Sequence, residues 1–381
     1  MRMADRIVVI ASDGRSLLNF RLPLLLRFRE LGLEVTCLAP GLGAEDDVGS
    51  VLASHGIRSE GLSLERTGLN PLADVRGFGA LVAVLRRQRA QHLLAYTIKP
   101  VIYGLLAGWM AGIGSRTALI TGLGYAFTGE AQGRRRVVQQ IARRLYRLAL
   151  ARATAIIFQN RDDAALFGSL GLLPRQVPVS VVSGSGIDLG RFPPRPLPGG
   201  TPVFLMVARL LTAKGVREYA RAAAMLKKEG RDARFVLVGP KDSNPDAVSD
   251  EEIERWRDGG ALEWLGPADD VRPHLEACHV YVLPSYREGT PRSTLEAMAT
   301  GRAIVTTDAP GCRETVREGV NGTMVPVGDA AALADAMREM LNHPARIERM
   351  RQASLDYARE RFDVTKVNEA MVDAMGLNRE R

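Results

Sequence analysis

Two carboxylates, Glu288 and Glu296, stand with seven residues between them on a segment whose other residue types suit anion binding. The pattern predicts a helix start between them, with Thr290 as N-cap and Pro291 at the first helical position. Backbone amides at a helix start, together with the positive end of the helix dipole, bind anions such as phosphate. Acids on both sides of a phosphate could accept hydrogen bonds from hydroxyl groups, which a sugar nucleotide offers through its sugar and its ribose.

The phosphate-binding amides in this interpretation belong to Arg292 and Ser293, and Gly289 stands in the loop after Glu288. A second explanation is equally consistent with the spacing alone: both acids are solvated surface residues, and one of them caps a helix.

A second loop carries two basic residues. Arg209 and Lys214 follow a predicted strand over Val203–Ala208 and precede a predicted helix over Gly215–Glu229. Their charges could neutralise a diphosphate, which requires fixed cations as it leaves. A basic residue at a strand end is usually only solvated, so this loop is informative mainly in combination with the two acids.

The elements that must position these residues follow from the hydrophobic pattern. Short runs rich in Val, Ile and Leu alternate with amphipathic segments, which is typical of parallel βαβ units. The stretch Ser183–Pro202 is rich in Gly and Pro, which extend neither a helix nor a central strand. We therefore predict an α/β protein with two doubly wound, Rossmann-like domains facing a cleft, and with C-terminal helices.

The predicted domains cover residues 1–183 and 203–360, joined by a linker over 184–202. A C-terminal helix over 361–381 is predicted to pack back toward the first domain. The main predicted strands are Arg6–Ala11, Val35–Leu38, Leu93–Tyr96, Arg116–Thr121, Ala155–Gln159, Val179–Val182, Arg234–Val238, Val280–Leu283 and Ala303–Thr307. The main predicted helices are Leu17–Leu31, Ala73–Gln88, Gly133–Arg152 and Thr290–Ala299.

The net charge of +8 is unevenly divided along the chain. Residues 1–200 carry 25 Lys and Arg against 14 Asp and Glu, whereas residues 201–381 carry 26 against 29. A basic domain attracts phosphate-rich partners, namely anionic lipid, nucleic acid or a diphosphate-bearing substrate, and composition does not choose among them.

The predicted helix Gly133–Arg152 is rich in arginine and has one apolar stripe, formed by Val137, Ile141, Leu145 and Leu148. This stripe either packs on the first sheet and leaves a solvated basic back, or the helix meets anionic lipid. In the second case the acceptor or membrane side would include Lys99, Arg134, Arg135 and Arg136. Nucleic-acid binding is disfavoured because no aromatic residues interleave the charges.

Several classes are excluded or disfavoured. Cys37, Cys278 and Cys312 lie far apart, which argues against a disulfide framework or a zinc site, and the five histidines lack ligand spacing. No signal peptide or membrane-spanning run is recognised, so we expect a cytoplasmic protein. No G-x-G-x-x-G follows the first strand of either domain, which disfavours a dehydrogenase.

Arg209, Lys214 and the segment from Glu288 to Glu296, followed by Ala297-Met-Ala, resemble the signature of the retaining family 4 glycosyltransferases, which have the GT-B fold. The resemblance covers nearly the whole chain. Tyr96–Gly104, Thr121–Thr128 and Phe158–Asn160 are similar to the capsule and O-antigen branch of that family.

The resemblance implies a role for each matched position. Glu288 would be the catalytic residue that binds donor-sugar hydroxyls beside the reacting carbon, and Glu296 would bind the ribose. Arg209 and Lys214 would bind the pyrophosphate. The remaining donor-binding positions would be Gly14, Gly266, Pro267, Gly289, Thr290, Arg292 and Ser293.

The implied reaction moves an N-acetylhexosamine or hexose from a nucleotide diphosphate sugar, expected to be UDP-linked, to a polyprenyl-diphosphate-linked glycan. It would use no metal or other cofactor and would occur at the inner face of the cytoplasmic membrane. Two departures from the family pattern are the missing histidine in the loop at 121–124 and Pro291 where glycine is common. A sugar-nucleotide 2-epimerase and a non-catalytic sugar-nucleotide-binding subunit remain as alternatives.

Overall fold

The computed structural model describes residues 5–43, 47–62, 71–122, 134–242, 244 and 246–378, with the backbone alone at 71–76 and 134–135. The chain divides into two compact units. The first comprises residues 1–185 and 367–381, and the second comprises residues 186–366.

The first unit is built on a seven-stranded parallel sheet with strand order β3-β2-β1-β4-β5-β6-β7. Its central strands are buried on both faces, which explains their continuous apolar runs. The strands are β1 (Arg6–Ile10), β2 (Glu34–Ala39), β3 (Arg58–Gly61), β4 (His92–Tyr96), β5 (Ser115–Ile120), β6 (Ala155–Phe158) and β7 (Val179–Val181).

Helices connect these strands in the βαβ manner: α1 (Gly14–Phe20), α2 (Leu22–Glu30), α3 (Asp47–Ser54), α4 (Pro71–Gln88), α5 (Ile98–Met110), α6 (Arg134–Leu150) and α7 (Arg161–Ser169). The single helix predicted over Leu17–Leu31 was wrong, because the chain breaks at Arg21 into α1 and α2. Pro23 stands in the first turn of α2, where its missing N–H is not needed.

The second unit has a six-stranded parallel sheet with strand order β10-β9-β8-β11-β12-β13. Four of its strands match the predicted segments to within one residue, and β10 and β13 were not predicted. The strands are β8 (Val203–Val207), β9 (Arg234–Val238), β10 (Glu263–Trp264), β11 (Val280–Leu283), β12 (Ala303–Thr307) and β13 (Gly322–Val325).

Only helices follow β13. The second unit contains α8 (Val216–Lys228), α9 (Asp250–Asp258), α10 (Arg272–Glu276), α11 (Arg292–Thr300), α12 (Ala330–Asn342) and α13 (Pro344–Tyr357), with a π-helical turn over Ala358–Phe362. The last helix, α14 (Val364–Ala374), buries Val367, Met371 and Val372 in a core cluster of the first unit. In the Gly- and Pro-rich stretch before β8, Ile187 and Phe192 are buried in the core of the second unit.

The strand orders confirm the predicted α/β class and identify one switch point in each sheet. The order reverses between β1 and β4 in the first sheet and between β8 and β11 in the second. Ligands of doubly wound sheets bind outside the carboxyl ends of the strands at such points. Within the described parts of the chain, none of the helices combines the length and the apolar run that a bilayer crossing requires.

Candidate functional site

The switch point of the second sheet brings two loops with candidate site residues together. Strands β8 and β11 are parallel neighbours, with Val280 paired to Phe204. The loop after β8 carries Arg209 and Lys214, and the loop after β11 carries Glu288. Because parallel strands end at the same edge of a sheet, both loops leave from adjacent positions.

The two loops touch through their backbones. Gly215 follows Lys214 with φ +75°, and a Cβ atom at Gly215 would lie 2.1 Å from the Pro284 carbonyl oxygen. Both the left-handed conformation and this close approach require glycine. The amide of Tyr286, in the loop after β11, donates to the Ala213 carbonyl, in the loop after β8, at 3.0 Å. The loops therefore form one packed structure.

Glu288 lies at the centre of this structure. Lys214 Nζ is 2.5 Å from Glu288 Oε1, and Ser285 Oγ donates to the same oxygen at 2.7 Å. The Glu288 amide donates to the Pro310 carbonyl at 2.9 Å. A Cβ atom at Gly311 would lie 2.3 Å from the Glu288 carbonyl oxygen, so this segment also packs closely. The position of the Glu288 carboxylate is fixed from several sides, and its side chain is only 13% exposed.

Helix α11 begins one residue later than predicted. Pro291, with extended φ and ψ of −72° and 109°, is its N-cap, and Arg292 is its first residue. The expectation of Thr290 as N-cap was therefore wrong. The shift places Arg292 and Ser293 at the first two helical positions, where N–H groups have no intrahelical acceptor. The Ser293 hydroxyl is held 2.6 Å from the Tyr281 hydroxyl of β11.

Glu296 lies one turn into α11 and is paired with a residue of the first turn. Arg292 Nε donates to Glu296 Oε1 at 3.1 Å, and the Glu296 side chain is 13% exposed. Burial raises the pKa of Glu296, and the neighbouring Arg292 guanidinium opposes that effect. The two acids singled out in the sequence are thus both largely buried, which argues against the explanation that they are solvated surface residues.

Arg209 is oriented differently from Lys214. Its guanidinium Nη1 lies 2.9 Å from Asp242 Oδ2, in the loop after β9, and its side chain is 54% exposed. Asp242 was not among the predicted site residues, although it lies shortly after the predicted strand Arg234–Val238. The structure thus brings Lys214 and Glu288 into direct contact and places Arg209 against Asp242.

Gly266 and Pro267 follow the edge strand β10. Gly266 has φ +78°, and its carbonyl accepts a hydrogen bond of 2.8 Å from the amide of Gly239. The indole Nε1 of Trp264 donates to the Gly239 carbonyl at 3.1 Å. This turn after β10 is therefore fixed to the loop after β9, and Pro267 is exposed.

Two candidate residues occupy the switch point of the first unit. Gly14 is the buried first residue of α1, after β1, and a Cβ atom there would lie 2.9 Å from Leu42 Cδ2. Lys99 stands in the first turn of α5, after β4. Helix α1 and the end of β4 are in contact here, because Ser16 Oγ lies 2.7 Å from the Tyr96 hydroxyl.

The apolar stripe of α6 faces outward. Val137, Ile141 and Leu148 are 55%, 50% and 60% exposed, and the opposite face buries Tyr146 and Ala149. Of the two alternatives left open for this stripe, packing on the first sheet is therefore wrong for these three residues. Arg136 is exposed beside them, and the side chains of Arg134 and Arg135 lie outside the described residues.

Next to α6, Trp109 at the end of α5 is 48% exposed, and the Arg152 guanidinium lies 4.2 Å from its ring centroid. Residues 123–133, which include most of the predicted Thr121–Thr128 motif, lie outside the described residues. Among the residues with described side chains, no group of three or more His, Cys, Asp or Glu is arranged to hold a metal ion.

Comparisons with known proteins give consistent matches. The family described as "Glycosyl transferases group 1" matches residues 201–343, and "Glycosyl transferase 4-like domain" matches residues 22–184. The N,N'-diacetylbacillosaminyl-diphospho-undecaprenol alpha-1,3-N-acetylgalactosaminyltransferase of Campylobacter jejuni is 31% identical over 349 residues, covering 88% of this chain and 89% of that protein.

Two further proteins are similar over most of their length. The UDP-Gal:alpha-D-GlcNAc-diphosphoundecaprenol alpha-1,3-galactosyltransferase of Escherichia coli is 25% identical over 284 residues, covering 70% of each chain. The solved structure of sucrose-phosphate synthase from Thermosynechococcus elongatus matches with a TM-score of 0.80 at 19% identity, covering 97% of this chain and 98% of that one.

Proposed function

This chain is an enzyme that belongs to the group 1 glycosyl transferases and has the GT-B fold, and we propose that it moves a sugar from a UDP-sugar to a polyprenyl-diphosphate-linked glycan. The sugar is an N-acetylhexosamine or a hexose, and its anomeric configuration is retained. The observation that carries the proposal is the contact of Lys214 with Glu288 at the sheet switch point, beside the start of α11.

This arrangement suits a nucleotide diphosphate sugar because it offers separate partners for the phosphates and for the sugar. Lys214 and the Ser293 amide at the start of α11 provide positive charge and a hydrogen-bond donor for the diphosphate. Glu288 provides acceptor oxygens for the hydroxyl groups of the transferred sugar. Lys214 Nζ lies only 2.5 Å from Glu288 Oε1. The two side chains can therefore contact the phosphate and the sugar on either side of one glycosidic bond.

In the proposed reaction the bond between the anomeric carbon and the diphosphate breaks while the acceptor hydroxyl approaches from the same face. Negative charge grows on the leaving diphosphate, and cations held in place stabilise it most in the transition state. Lys214 is already in position. Arg209, whose side chain is 54% exposed, joins it by leaving Asp242.

Glu296 and the turn at Gly266 and Pro267 complete the proposed donor site. Glu296 would accept hydrogen bonds from the ribose hydroxyls, and its pair with Arg292 keeps its orientation fixed. The turn after β10 would contact the base through backbone groups. Gly289 and Thr290 lie between the sugar-binding and phosphate-binding positions, and we propose that their backbone follows the donor closely.

The acceptor proposal draws on the relatives and on the first unit. The Campylobacter jejuni and Escherichia coli enzymes are named for acceptors that carry a diphosphate on undecaprenol. In this chain Lys99 and Gly14 follow neighbouring strands at the switch point of the first sheet. We propose that Lys99 contacts the acceptor diphosphate and that Gly14 lets the α1 backbone approach a phosphate group closely.

An acceptor anchored in lipid requires the enzyme to work at a membrane surface, and α6 supports such a role. Its exposed Val137, Ile141 and Leu148 lie together with arginines, a combination typical of helices that lie in a bilayer interface. Arg134, Arg135 and Arg136 start this helix. We propose that the exposed α6 face associates peripherally with anionic lipid at the inner face of the cytoplasmic membrane.

Ligand-induced thermal stabilisation tests the donor proposal. A ligand that binds only the folded protein at one hundred times its Kd adds about 2.7 kcal/mol of stability. We expect UDP and UDP-sugars to raise the Tm of the purified protein, and Lys214→Ala to reduce that rise. A panel in which NAD, NADP or FAD raises the Tm and no nucleotide diphosphate does would contradict the proposal.

A further inference from the structure

A side-chain contact outside the donor-binding roles above connects the Glu288 loop to helix α8. The Tyr286 hydroxyl donates to Glu218 Oε1 at 3.1 Å, while the Tyr286 amide donates to the Ala213 carbonyl at 3.0 Å. Tyr286 therefore bridges the loop after β11 to the segment on both sides of Lys214. We infer that Tyr286 and Glu218 are a positioning pair that sets the geometry between Glu288 and Lys214. This inference rests on the proposed function for the identity of the site.

Glu218 is an unfavourable residue for a purely structural position. Only 6% of it is exposed, and its buried Oε2 atom has no hydrogen-bond partner among the described residues. A buried carboxylate with an unsatisfied oxygen is destabilising, and an apolar or neutral side chain of similar volume would avoid that cost. Its place in the first turn of α8 offsets part of the cost, because the helix dipole favours negative charge there.

The hydrogen bond between the Tyr286 hydroxyl and Glu218 is the main specific contact of this pair. Arg217, the residue before Glu218, is held by Glu252 with Nε 2.6 Å from Oε1. Gly328 lies against the other side of the tyrosine hydroxyl, where a Cβ atom would be 3.3 Å away. Tyr286 is 39% exposed and is therefore not a core residue. Its backbone and its hydroxyl fix it in place.

The inference predicts a particular kinetic pattern. Tyr286→Phe removes the hydroxyl and keeps the ring, and Glu218→Ala removes the acceptor. Either change lets Glu288 shift relative to Lys214, and a small misplacement of a reacting group lowers the rate by about tenfold or more. We expect kcat to fall by about that factor, with the donor KM changed less than threefold because neither substitution removes a cation or an amide of the helix start.

Two more variants distinguish positioning from general damage. Glu218→Gln keeps an acceptor oxygen for Tyr286, so its kcat should fall much less than that of Glu218→Ala. The double variant Tyr286→Phe/Glu218→Ala should lose no more activity than the poorer single variant, because both changes break the same hydrogen bond. Additive losses, or equal losses in Glu218→Gln and Glu218→Ala, would overturn the inference.

Tyr219→Phe is the matched control. Its hydroxyl, on the same helix, donates to the Phe204 carbonyl at 2.8 Å in the core. Its loss should lower the Tm and leave kcat unchanged at temperatures well below the Tm. If Tyr219→Phe lowers kcat as much as Tyr286→Phe does, the effect of Tyr286 is general destabilisation, and the positioning role is overturned.

Hydrogen exchange of the ligand-free protein separates a failure of this inference from a failure of the proposed function. Tyr286→Phe should speed amide exchange in residues 285–290 and 212–215, and Tyr219→Phe should not. This readout needs no donor, so it holds whichever sugar nucleotide the enzyme takes. Unchanged exchange in both segments would overturn the positioning role, whereas changed exchange in a protein that binds no nucleotide diphosphate would contradict only the proposed function.

Discussion

The ammonium group of Lys214 lies 2.5 Å from Glu288 Oε1, across 74 positions of sequence. Their side chains are 23% and 13% exposed, so the pair is largely shielded from water. In the ligand-free protein each charge compensates the other, which avoids the cost of a lone buried carboxylate. A bound diphosphate would pair with Lys214, and a sugar hydroxyl would donate to Glu288. Donor binding would therefore replace the contact between the two side chains with contacts to two parts of one ligand.

The first prediction concerns Glu288. Glu288→Gln should lower kcat by about a hundredfold or more, as expected for losing a charged group at the reacting centre. UDP should bind as tightly as to the wild type or more tightly, because Lys214 no longer neutralises a carboxylate. Steady-state kinetics and thermal-shift titration with UDP measure the two effects. Near-normal turnover would remove Glu288 from the catalytic role.

The second prediction compares the two cations of the loop after β8. Both Lys214→Ala and Arg209→Ala should weaken UDP binding and slow transfer, because we propose that each charge acts on the leaving diphosphate. Lys214→Ala should have the larger effect, since Lys214 is already in the site whereas the exposed Arg209 must first leave Asp242. Asp242→Asn is the control and should preserve or improve UDP affinity. Unchanged kinetics in both alanine variants would place the diphosphate elsewhere.

The third prediction follows from the raised pKa of Glu296. A carboxyl whose folded pKa lies above the unfolded value of 4.5 binds more protons when folded, so stability falls as pH rises from 4.5 through the folded pKa. Glu296→Gln removes that penalty. The Tm of the variant minus that of the wild type should therefore be more positive at pH 7 than at pH 4, as scanning calorimetry at both values would measure.

The same variant should bind UDP less tightly. A hydrogen bond to a charged group contributes about 1.5–3 kcal/mol, so losing the proposed ribose contacts should weaken UDP by roughly ten- to a hundredfold. UMP should be affected to the same degree, since it carries the same ribose. A Tm difference that is independent of pH would contradict the first part of this account, and unchanged UDP affinity would contradict the second.

Much of the architecture could be predicted from the sequence because buried parallel strands are continuous apolar runs. Val280–Leu283 and Ala303–Thr307 were predicted with their observed bounds. The edge strands Arg58–Gly61 and Glu263–Trp264 were missed, since their short, mostly polar sequences lack that pattern. The break at Arg21 was missed because both helices share one continuous apolar period.

The candidate site could be proposed from residue types and their spacing, but its contacts could not be predicted from the sequence. The acids and cations stand out by spacing, but the pairing of Lys214 with Glu288 depends on the adjacency of β8 and β11, which only the sheet order supplies. The Tyr286 contact with Glu218 gives no sequence signal at all. Periodicity identified the apolar stripe of α6 correctly, yet it could not tell whether that stripe faces the core or the surface.

The fourth prediction concerns the basic start of α6. Replacing Arg134, Arg135 and Arg136 together with Gln should weaken binding to anionic vesicles by roughly 2–3 kcal/mol, since each basic residue near such a surface contributes about 1 kcal/mol. Vesicle sedimentation measures this directly. Wild-type binding should fall at high salt, because salt screens charges over a Debye length of about 8 Å at physiological strength.

A companion variant tests the apolar part of the same surface. Val137, Ile141 and Leu148 replaced together with Ser should also weaken vesicle binding, and this loss should persist at high salt because it does not depend on charge. The exposure of these residues predicts little loss of stability. Equal partitioning of the wild type onto anionic and neutral vesicles at both salt concentrations would leave α6 without a membrane role.

The fifth prediction tests the contact between the two loops. Gly215→Ala should lower the free energy of unfolding by more than about 1 kcal/mol, because it imposes a positive φ on alanine and places Cβ against the Pro284 carbonyl. Gly230→Ala is the matched control, with φ +72° and open space around the added Cβ. Chemical denaturation should show the larger loss for Gly215→Ala. Equal losses would mean that φ alone accounts for the effect.

A sugar-transfer assay is the most direct test of the proposed activity. Purified enzyme is incubated with radiolabelled UDP-N-acetylgalactosamine, UDP-N-acetylglucosamine, UDP-galactose or UDP-glucose and with a polyprenyl-diphosphate-linked saccharide, and the lipid-soluble product is counted. We expect label transfer from at least one donor, with an α-linked product by NMR and a loss of about a hundredfold or more in Glu288→Gln. A β-linked product, or equal label transfer by Glu288→Gln and the wild type, would contradict the proposal.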